Sequence, residues 1–169
     1  MSNEPSSSPS PDPFTGYHYG LPSRPRLLAR SDPSEWSPPR FKLDANFPAS
    51  KSIRPVDPSH PICGIWGSQL GKDFLGIIDR YTDGMSVSVD VVCIPYSEGE
   101  EGSSDEPILW IGVPPDTMSV EQAQNLVREC TGLLKSHEMT DVQVEVKESE
   151  GIQLGLGVTN EEDGRSTGR

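Results

Sequence analysis

The stretch ILWIGVPPDTMSVEQAQNLVRECTGLLKSHEMTDVQVEVKES, residues 108–149, decides the fold of this 169-residue chain. It begins with a six-residue apolar run, residues 108–113, which is too short for a helix and has the branched and aromatic residues of a buried strand. A capping-box pattern then pairs Ser119 with Gln122, and apolar residues follow at three- and four-residue steps. Alternating valines begin at Val142. The stretch therefore predicts a strand-helix-strand unit.

Two further elements precede this unit. Residues 85–91 alternate apolar with polar side chains, which indicates a half-buried strand. The polar, glycine-containing residues 97–106 would join that strand to the next as a hairpin loop. Residues 61–81 have helical apolar spacing, but their four glycines weaken a helix, so we expect one that is broken near Gly71.

These elements assemble into an α+β fold with the order helix, strand, strand, helix, strand. A right-handed crossover would place the last strand parallel to the one before the helix, with both helices on one face of the sheet. This is close to a ferredoxin-like split βαβ unit that lacks its first strand. Residues 52–56 are the upstream candidate for that strand, and otherwise the sheet has three strands. Residues 152–158 alternate and are a candidate for a further strand.

The chain divides sharply by composition. Residues 1–60 carry 6 acidic and 7 basic residues, whereas the remainder carries 20 acidic and 7 basic residues. Thirteen of the 17 prolines lie in residues 1–61, which disfavours a sustained helix or central strand there. We therefore expect a proline-rich arm over residues 1–60, a compact acidic domain over 61–150 and a flexible tail over 151–169. Aromatic residues within the arm leave two alternatives: a disordered linker, or an irregular strap packed on the domain.

Composition also bears on compartment and partners. No stretch approaches 18 consecutive apolar residues, and the N-terminus lacks the basic and apolar regions of a signal peptide. These features favour an intracellular protein, cytoplasmic or nuclear, that does not span a membrane. The net charge of −12 disfavours nucleic acid and anionic membranes as partners, because an acidic chain gains no counterion-release energy from phosphates. A protein partner of unknown identity is the expectation.

The sequence shows no cofactor, metal or catalytic motif. The three cysteines are widely spaced and odd in number, which favours buried thiols over disulfides. The three histidines are scattered without the spacing of a zinc site. A superficial phosphate loop at residues 67–73 has the wrong glycine spacing, and Asp73 stands where a magnesium-binding hydroxyl is required. We therefore predict no catalytic, cofactor-binding or metal-binding residue.

Three serines are candidate phosphorylation sites. Ser103 and Ser104 precede acidic residues, an arrangement that acidophilic kinases accept, and Ser37 precedes a proline. The alternative for the first two is an ordinary solvated loop.

A PxxP pattern with neighbouring arginines lies in the arm. It is compatible with polyproline-II docking to an aromatic groove, and the alternative is a plain extended linker. The residues of this candidate interaction arm are Pro22, Arg24, Pro25 and Arg26.

Five motifs together resemble the N-terminal region of a set of uncharacterised proteins from basidiomycete fungi. They are GYHYGLPSRPRLLAR at 16–30, HPI at 60–62, VDVV at 89–92, ILWIGVPP at 108–115 and DVQVEVKES at 141–149. The resemblance covers roughly residues 14–150 and implies no activity and no functional residue. Some longer members look extended by a trypsin-like segment that this chain lacks, which implies either a truncated or a stand-alone form.

Two functions of different classes follow as hypotheses. The favoured one is a non-catalytic protein-interaction or accessory module, which predicts an apolar groove or an exposed sheet face. The alternative is an enzyme fragment, or an accessory region of a longer serine-protease-like protein. It predicts a concave pocket with convergent titratable groups, for example His60 or His137 bonded to a serine or carboxylate.

Overall fold

A computed structural model describes residues 12–41, 44–97 and 104–149, without the side chains of residues 40, 41 and 44–47. Six strands and two α-helices are present in this part of the chain, and a 3₁₀-helix, Pro61–Gly67, precedes the first α-helix. In chain order the elements are β1 (Arg26–Arg30), β2 (Arg40–Phe41), β3 (Asp44–Pro48), α1 (Gln69–Thr82), β4 (Ser88–Val92), β5 (Ile108–Val113), α2 (Val120–Ser136) and β6 (Gln143–Glu148).

Four of the strands form a mixed sheet in the order β1-β6-β5-β4, and β2 pairs with β3 in a separate short ribbon. Strands β5 and β6 are parallel, and the other two pairings in the sheet are antiparallel. The predicted α+β class, the hairpin and the parallel crossover are confirmed. The fourth strand, β1, lies outside β6 rather than between β5 and β6, so these two parallel strands pair directly.

The strand missing from the predicted unit is Arg26–Arg30, not residues 52–56. It pairs with β6 at one edge of the sheet, within the segment that we expected to be an irregular arm. Its consecutive apolar residues Leu27, Leu28 and Ala29 show no alternation, and a bulge at this point of the β1–β6 ladder allows all three to be buried. Residues 52–56 instead lie beyond the opposite edge, where Arg54 pairs with Cys93.

Both helices begin at capping serines. At α2 the predicted capping box is present, because Gln122 N donates to Ser119 Oγ at 3.1 Å and Ser119 N donates to Gln122 Oε1 at 2.9 Å. The predicted break near Gly71 lies instead at Ser68, which is extended between the 3₁₀-helix and α1. The Ser68 side chain accepts from the Gly71 amide, so Gly71 lies within the first turn of α1.

The two faces of the sheet are covered by different parts of the chain. Apolar side chains of α1, α2 and the 3₁₀-helix pack on one face against Leu109, Ile111, Val144 and Val146. The other face carries a smaller cluster in which Leu21, from the N-terminal segment, packs with Ile108 and Trp110. We call residues 12–25, which approach this second face, the N-terminal cover. Because both faces are covered, all six residues of β5 are buried.

Candidate functional site

Glu145 lies at the centre of the face beneath the N-terminal cover. Val144 and Val146 alternate with it along β6 and enter the helix-side core, so the strand geometry points Glu145 toward the cover. The residue is only 4% exposed. Its Oε1 accepts a hydrogen bond from the Tyr17 hydroxyl at 2.5 Å, and His18 Nε2 lies 3.5 Å from its Oε2. An acidic side chain in an alternating strand is therefore buried and partnered by the arm.

The orientation of the His18 ring follows from its hydrogen bond to the backbone. Nδ1 lies 2.7 Å from the carbonyl oxygen of Pro25, and because a carbonyl only accepts, Nδ1 is the donor. In the neutral ring, Nε2 then has a lone pair that faces Glu145. In the imidazolium form, Nε2 instead carries a proton directed toward that carboxylate. The charged form of His18 is the one that complements Glu145.

Burial and the neighbouring side chains shift the pKa of Glu145 in opposite directions. Burial alone would raise the pKa of Glu145, but the close approach of His18, the positive charge of Lys51 and the hydrogen bond from the Tyr17 hydroxyl outweigh it. The pKa of the Glu145 carboxyl is therefore below its ordinary value. Burial and the neighbouring carboxylate raise the pKa of Tyr17 above its ordinary value. Tyr17 thus remains a neutral donor to an ionised Glu145.

Lys51 is another buried charged residue near the N-terminal cover, with 7% of the residue exposed. Its amide donates to the carbonyl of Tyr19 at 2.8 Å, and the residue bridges to Tyr96 as an antiparallel partner. Nζ lies 3.3 Å from the centroid of the Tyr17 ring and 5.0 Å from that of the Tyr96 ring. Among the described residues, no oxygen accepts a hydrogen bond from this ammonium and no carboxylate lies within 4 Å of it.

The environment of Lys51 also changes its protonation. Burial lowers the pKa of the ammonium to about 8, with the charge of Glu145 opposing the shift and that of Arg30 adding to it. A group that ordinarily remains charged throughout the neutral range is therefore close to titrating at physiological pH.

Arg30, at the end of β1, provides a second cation against the same aromatic ring. Its Cζ lies 5.6 Å from the Tyr17 centroid. The guanidinium also holds the following loop, since Nη2 donates to the carbonyl of Ser34 at 2.6 Å and Nη1 lies 3.5 Å from Asp32 Oδ2. Trp36, from that loop, packs edge-on against Tyr17 with centroids 5.3 Å apart. Two cations, Lys51 and Arg30, and the ring of Trp36 thus converge on Tyr17.

These groups line a cleft of about 310 Å³, which we call the Lys51 cleft. Its buried lining residues include Tyr17, Lys51 and Glu145, and its exposed rim includes Glu35 and Glu106. The volume is at the lower end of the range for small-molecule sites, and aromatic walls with a few charged groups are typical of such sites.

The predicted phosphorylation sites lie in different relations to this cleft. Ser37 and Ser104 are exposed and both line it. Ser103 lies outside the described residues, as do the candidate strand at 152–158 and most of the acidic hairpin loop.

The predicted PxxP arm does not have polyproline-II geometry. Ser23 and Arg24 have φ values of 62° and 38°, whereas polyproline II requires φ near −75°. Arg24 is exposed with its guanidinium 5.1 Å from the Tyr19 ring centroid, and Arg26 pairs with Asp12 at 2.8 Å. Pro22 is exposed and Pro25 is half-buried, with its carbonyl bonded to His18. The segment folds as a turn that leads into β1.

The histidine pairing singled out by the sequence occurs at a separate cavity of about 390 Å³. His60 Nε2 lies 3.0 Å from Asp141 Oδ2, while His60 Nδ1 accepts the amide hydrogen of Ile62. The ring therefore caps the 3₁₀-helix, and both of its nitrogens are already bonded. His137 is exposed at the C-terminal end of α2. Within the described part of the chain, no histidine is hydrogen-bonded to a serine.

Comparisons with protein-family models, with curated proteins and with solved structures gave no match to this chain. In the described ranges, no three His, Cys, Asp or Glu side chains are grouped closely enough to hold a metal ion. No helix in those ranges is both long and apolar enough to cross a membrane.

Sequence patterns alone did not identify Lys51, Glu145, Tyr17 or His18 as site residues. The available signal was indirect: the arm contained more aromatic residues than a linker usually does, including Tyr17. The charges of Lys51 and Glu145 are typical of solvated positions when the chain is considered locally. Their roles depend on contacts between segments that lie far apart in sequence.

Proposed function

We propose that this protein is a non-catalytic binding module whose Lys51 cleft holds a small organic anion with an aromatic or apolar body. The observation that carries the proposal is Lys51, a cleft residue that is only 7% exposed and whose ammonium has no hydrogen-bond acceptor among the described residues. The side chain of Lys51 has lost most of its contact with water, so an anionic ligand that accepts hydrogen bonds from its ammonium would gain more than the same ligand at an exposed lysine.

Around Lys51, different side chains would contact the anionic group of such a ligand and its apolar body. Arg30 contributes a second positive charge, which Asp32 at 3.5 Å partly offsets. Glu145 is the one buried carboxylate among the described residues that line the cleft, and it accepts a hydrogen bond from Tyr17 and lies 3.5 Å from His18 Nε2. The rings of Tyr17, Trp36 and Tyr96 offer faces and edges to a planar body. This proposal differs from the protein-interaction module that the sequence favoured. A concave pocket with titratable groups was instead the expectation for the enzyme-fragment alternative.

The direct test is a titration of the full chain with 4-(hydroxymethyl)benzoate, followed by calorimetry or NMR, with the neutral 4-(hydroxymethyl)benzamide as the matched ligand. We expect the anion to bind more tightly than the amide, and Lys51→Met to weaken anion binding about tenfold to a hundredfold.

Lys147→Met is the matched control. Lys147 is also 7% exposed and lies with Nζ 3.7 Å from the Trp110 ring centroid, but it does not line the cleft. Equal effects of the two variants, or equal affinity for the anion and the amide, would contradict the proposal.

A regulatory role for the rim serines follows from the same geometry. Phosphate on Ser37 or Ser104 would place about two negative charges at the mouth of a cleft that takes an anion, and so would weaken binding. The test is to phosphorylate the chain with a proline-directed kinase for Ser37, or an acidophilic kinase for Ser104, and to repeat the titration. Unchanged affinity in a stoichiometrically modified sample would rule this role out.

A protein-interaction function is a second proposal, and a different observation supports it. Trp66, at the end of the 3₁₀-helix, is 42% exposed, and Leu75 on α1 is 45% exposed. Exposed large apolar side chains are typical contact residues when they belong to one patch. If Trp66 contacts a partner protein, Trp66→Ala should abolish capture of a specific partner that Lys51→Met still captures.

A further inference from the structure

Lys51 differs from the other described lysines in being both largely buried and part of the lining of a cleft. A lysine in an ion pair is held as ammonium and is not a nucleophile, whereas only a neutral amine attacks a carbonyl carbon. Among the described residues Lys51 makes no ion pair, and its charged neighbours are Arg30 on β1 and Glu145 on β6. Arg30 opposes protonation of Lys51, while Glu145 and the rings of Tyr17 and Tyr96 favour it.

The balance of these effects favours a reactive amine. Burial is the largest of them, and it brings the Lys51 pKa to about 8. At neutral pH about a tenth of the amine is then neutral, roughly two-hundredfold more than for a lysine with an ordinary pKa near 10.4.

We propose that Lys51 captures small aldehydes and oxo acids that carry a carboxylate, as reversible imines within the cleft. The inference rests on the proposed function, because the carboxylate is the anionic group that Arg30 would hold. Neutral Nζ attacks the carbonyl carbon and forms a C–N bond, and the carbinolamine then loses its oxygen as water to give the imine. Water supplies and takes up the protons, and no oxidant or reductant is consumed. The reverse reaction, hydrolysis, releases the ligand.

The experiment uses the full chain, 4-carboxybenzaldehyde as the probe and cyanoborohydride to convert any imine into a stable secondary amine. Peptide mass spectrometry then gives the rate of labelling at each lysine. We expect Lys51 to be labelled at least tenfold faster than the exposed Lys72 and Lys135 near pH 7.5. The ratio should fall as the pH approaches 10, where ordinary lysines also lose their protons.

Lys147 is the matched control for reactivity as well, since it is equally buried and lies over an aromatic ring but outside the cleft. Labelling of Lys147 as fast as Lys51, or uniform labelling of all lysines, would overturn the proposal. The alcohol 4-(hydroxymethyl)benzoate cannot form an imine and should compete with labelling at Lys51 but not at Lys72.

The two proposals fail in different ways in these measurements. If the alcohol binds in a Lys51-dependent manner and the aldehyde is not trapped, the binding function stands and the covalent inference is wrong. If the aldehyde is trapped at Lys51 while neither the anionic alcohol nor its amide binds measurably, the reactive amine stands and anion binding is wrong. Absence of both binding and trapping overturns both.

Discussion

Glu145 and Tyr17 form the contact on which the candidate site depends. The Tyr17 hydroxyl donates to a carboxylate that is almost wholly buried, and the two residues are 128 positions apart in sequence. A buried carboxylate with unfilled hydrogen-bonding capacity pays a desolvation penalty, so this one hydroxyl stabilises both the charge and the attachment of the N-terminal cover.

Tyr17→Phe should therefore lower the free energy of unfolding by about 1.5–3 kcal/mol, because it removes a hydrogen bond to a charged, buried group. Chemical denaturation of the full chain measures the change. Tyr19→Phe is the control, since no described residue hydrogen-bonds to its side chain, and it should alter stability by no more than about 0.5 kcal/mol. Similar losses in the two variants would show that the Tyr17 hydroxyl contributes little.

The low pKa of Lys51 gives anion binding a characteristic pH dependence. With a pKa of about 8, Lys51 is charged below that pH and neutral above it. The affinity for 4-(hydroxymethyl)benzoate should be nearly constant from pH 6 to 7.5 and should then fall, by up to tenfold per pH unit, because Lys51 must take up a proton from solvent to bind the anion as an ammonium. In Lys51→Arg the charge persists, so any affinity that remains should not vary between pH 7 and 9.

Among the connecting elements, the turn at Gly20 sets the position of Lys51. Gly20 has φ +92°, and a Cβ there would lie 2.6 Å from Ser50 Cβ and 2.9 Å from the carbonyl oxygen of Lys51. Such contacts force the backbone of residues 50–51 to shift. Gly16 also has a positive φ, +80°, but a Cβ there would meet no atom within 4 Å. An alanine at Gly16 would therefore introduce backbone strain alone, whereas an alanine at Gly20 would introduce both strain and a steric clash.

Gly16→Ala should cost about 1–2 kcal/mol of stability, the conformational penalty of a left-handed alanine. Gly20→Ala should cost clearly more and should also weaken anion binding, because it displaces the segment that carries Lys51. Denaturation curves and titrations of both variants distinguish these effects. If Gly20→Ala binds the anion as tightly as Gly16→Ala does, the turn does not control the cleft.

Over the whole molecule, residues before position 60 complete the sheet and cover one of its faces. The fragment 61–150 would lack β1, which leaves the edge of β6 unpaired, and would expose Trp110 and Glu145. An exposed strand edge beside an apolar surface favours association over a stable monomer.

We therefore expect the fragment 61–150 to show a non-cooperative urea transition and poorly dispersed amide resonances, whereas the full chain unfolds cooperatively. A fragment with the same transition midpoint as the full chain would show that the N-terminal segment adds nothing to stability. The fragment 12–150 is the matched control, because it retains the cover and β1.

Local sequence patterns were sufficient to predict the strands β5 and β6 and the helix α2. The Ser119 capping box, the apolar run from Ile108 and the alternation at Val144 and Val146 each depend on residues a few positions apart, and each element formed as expected. The break before α1 was misplaced because Ser68 ends one helix and caps the next, a role that glycine content did not reveal.

The chain's sequence by itself determined an acidic α+β unit with a parallel crossover, because periodicity and capping are short-range properties. Only the tertiary structure decided that β1 comes from the arm and that Lys51, Tyr17 and Glu145 meet in a cleft. The physical reason is that the N-terminal cover buries the second face of the sheet. Lys51 and Glu145, whose neighbours in sequence are typical of exposed positions, are thereby buried. Such burial depends on contacts between distant segments, and no local window of sequence contains both partners.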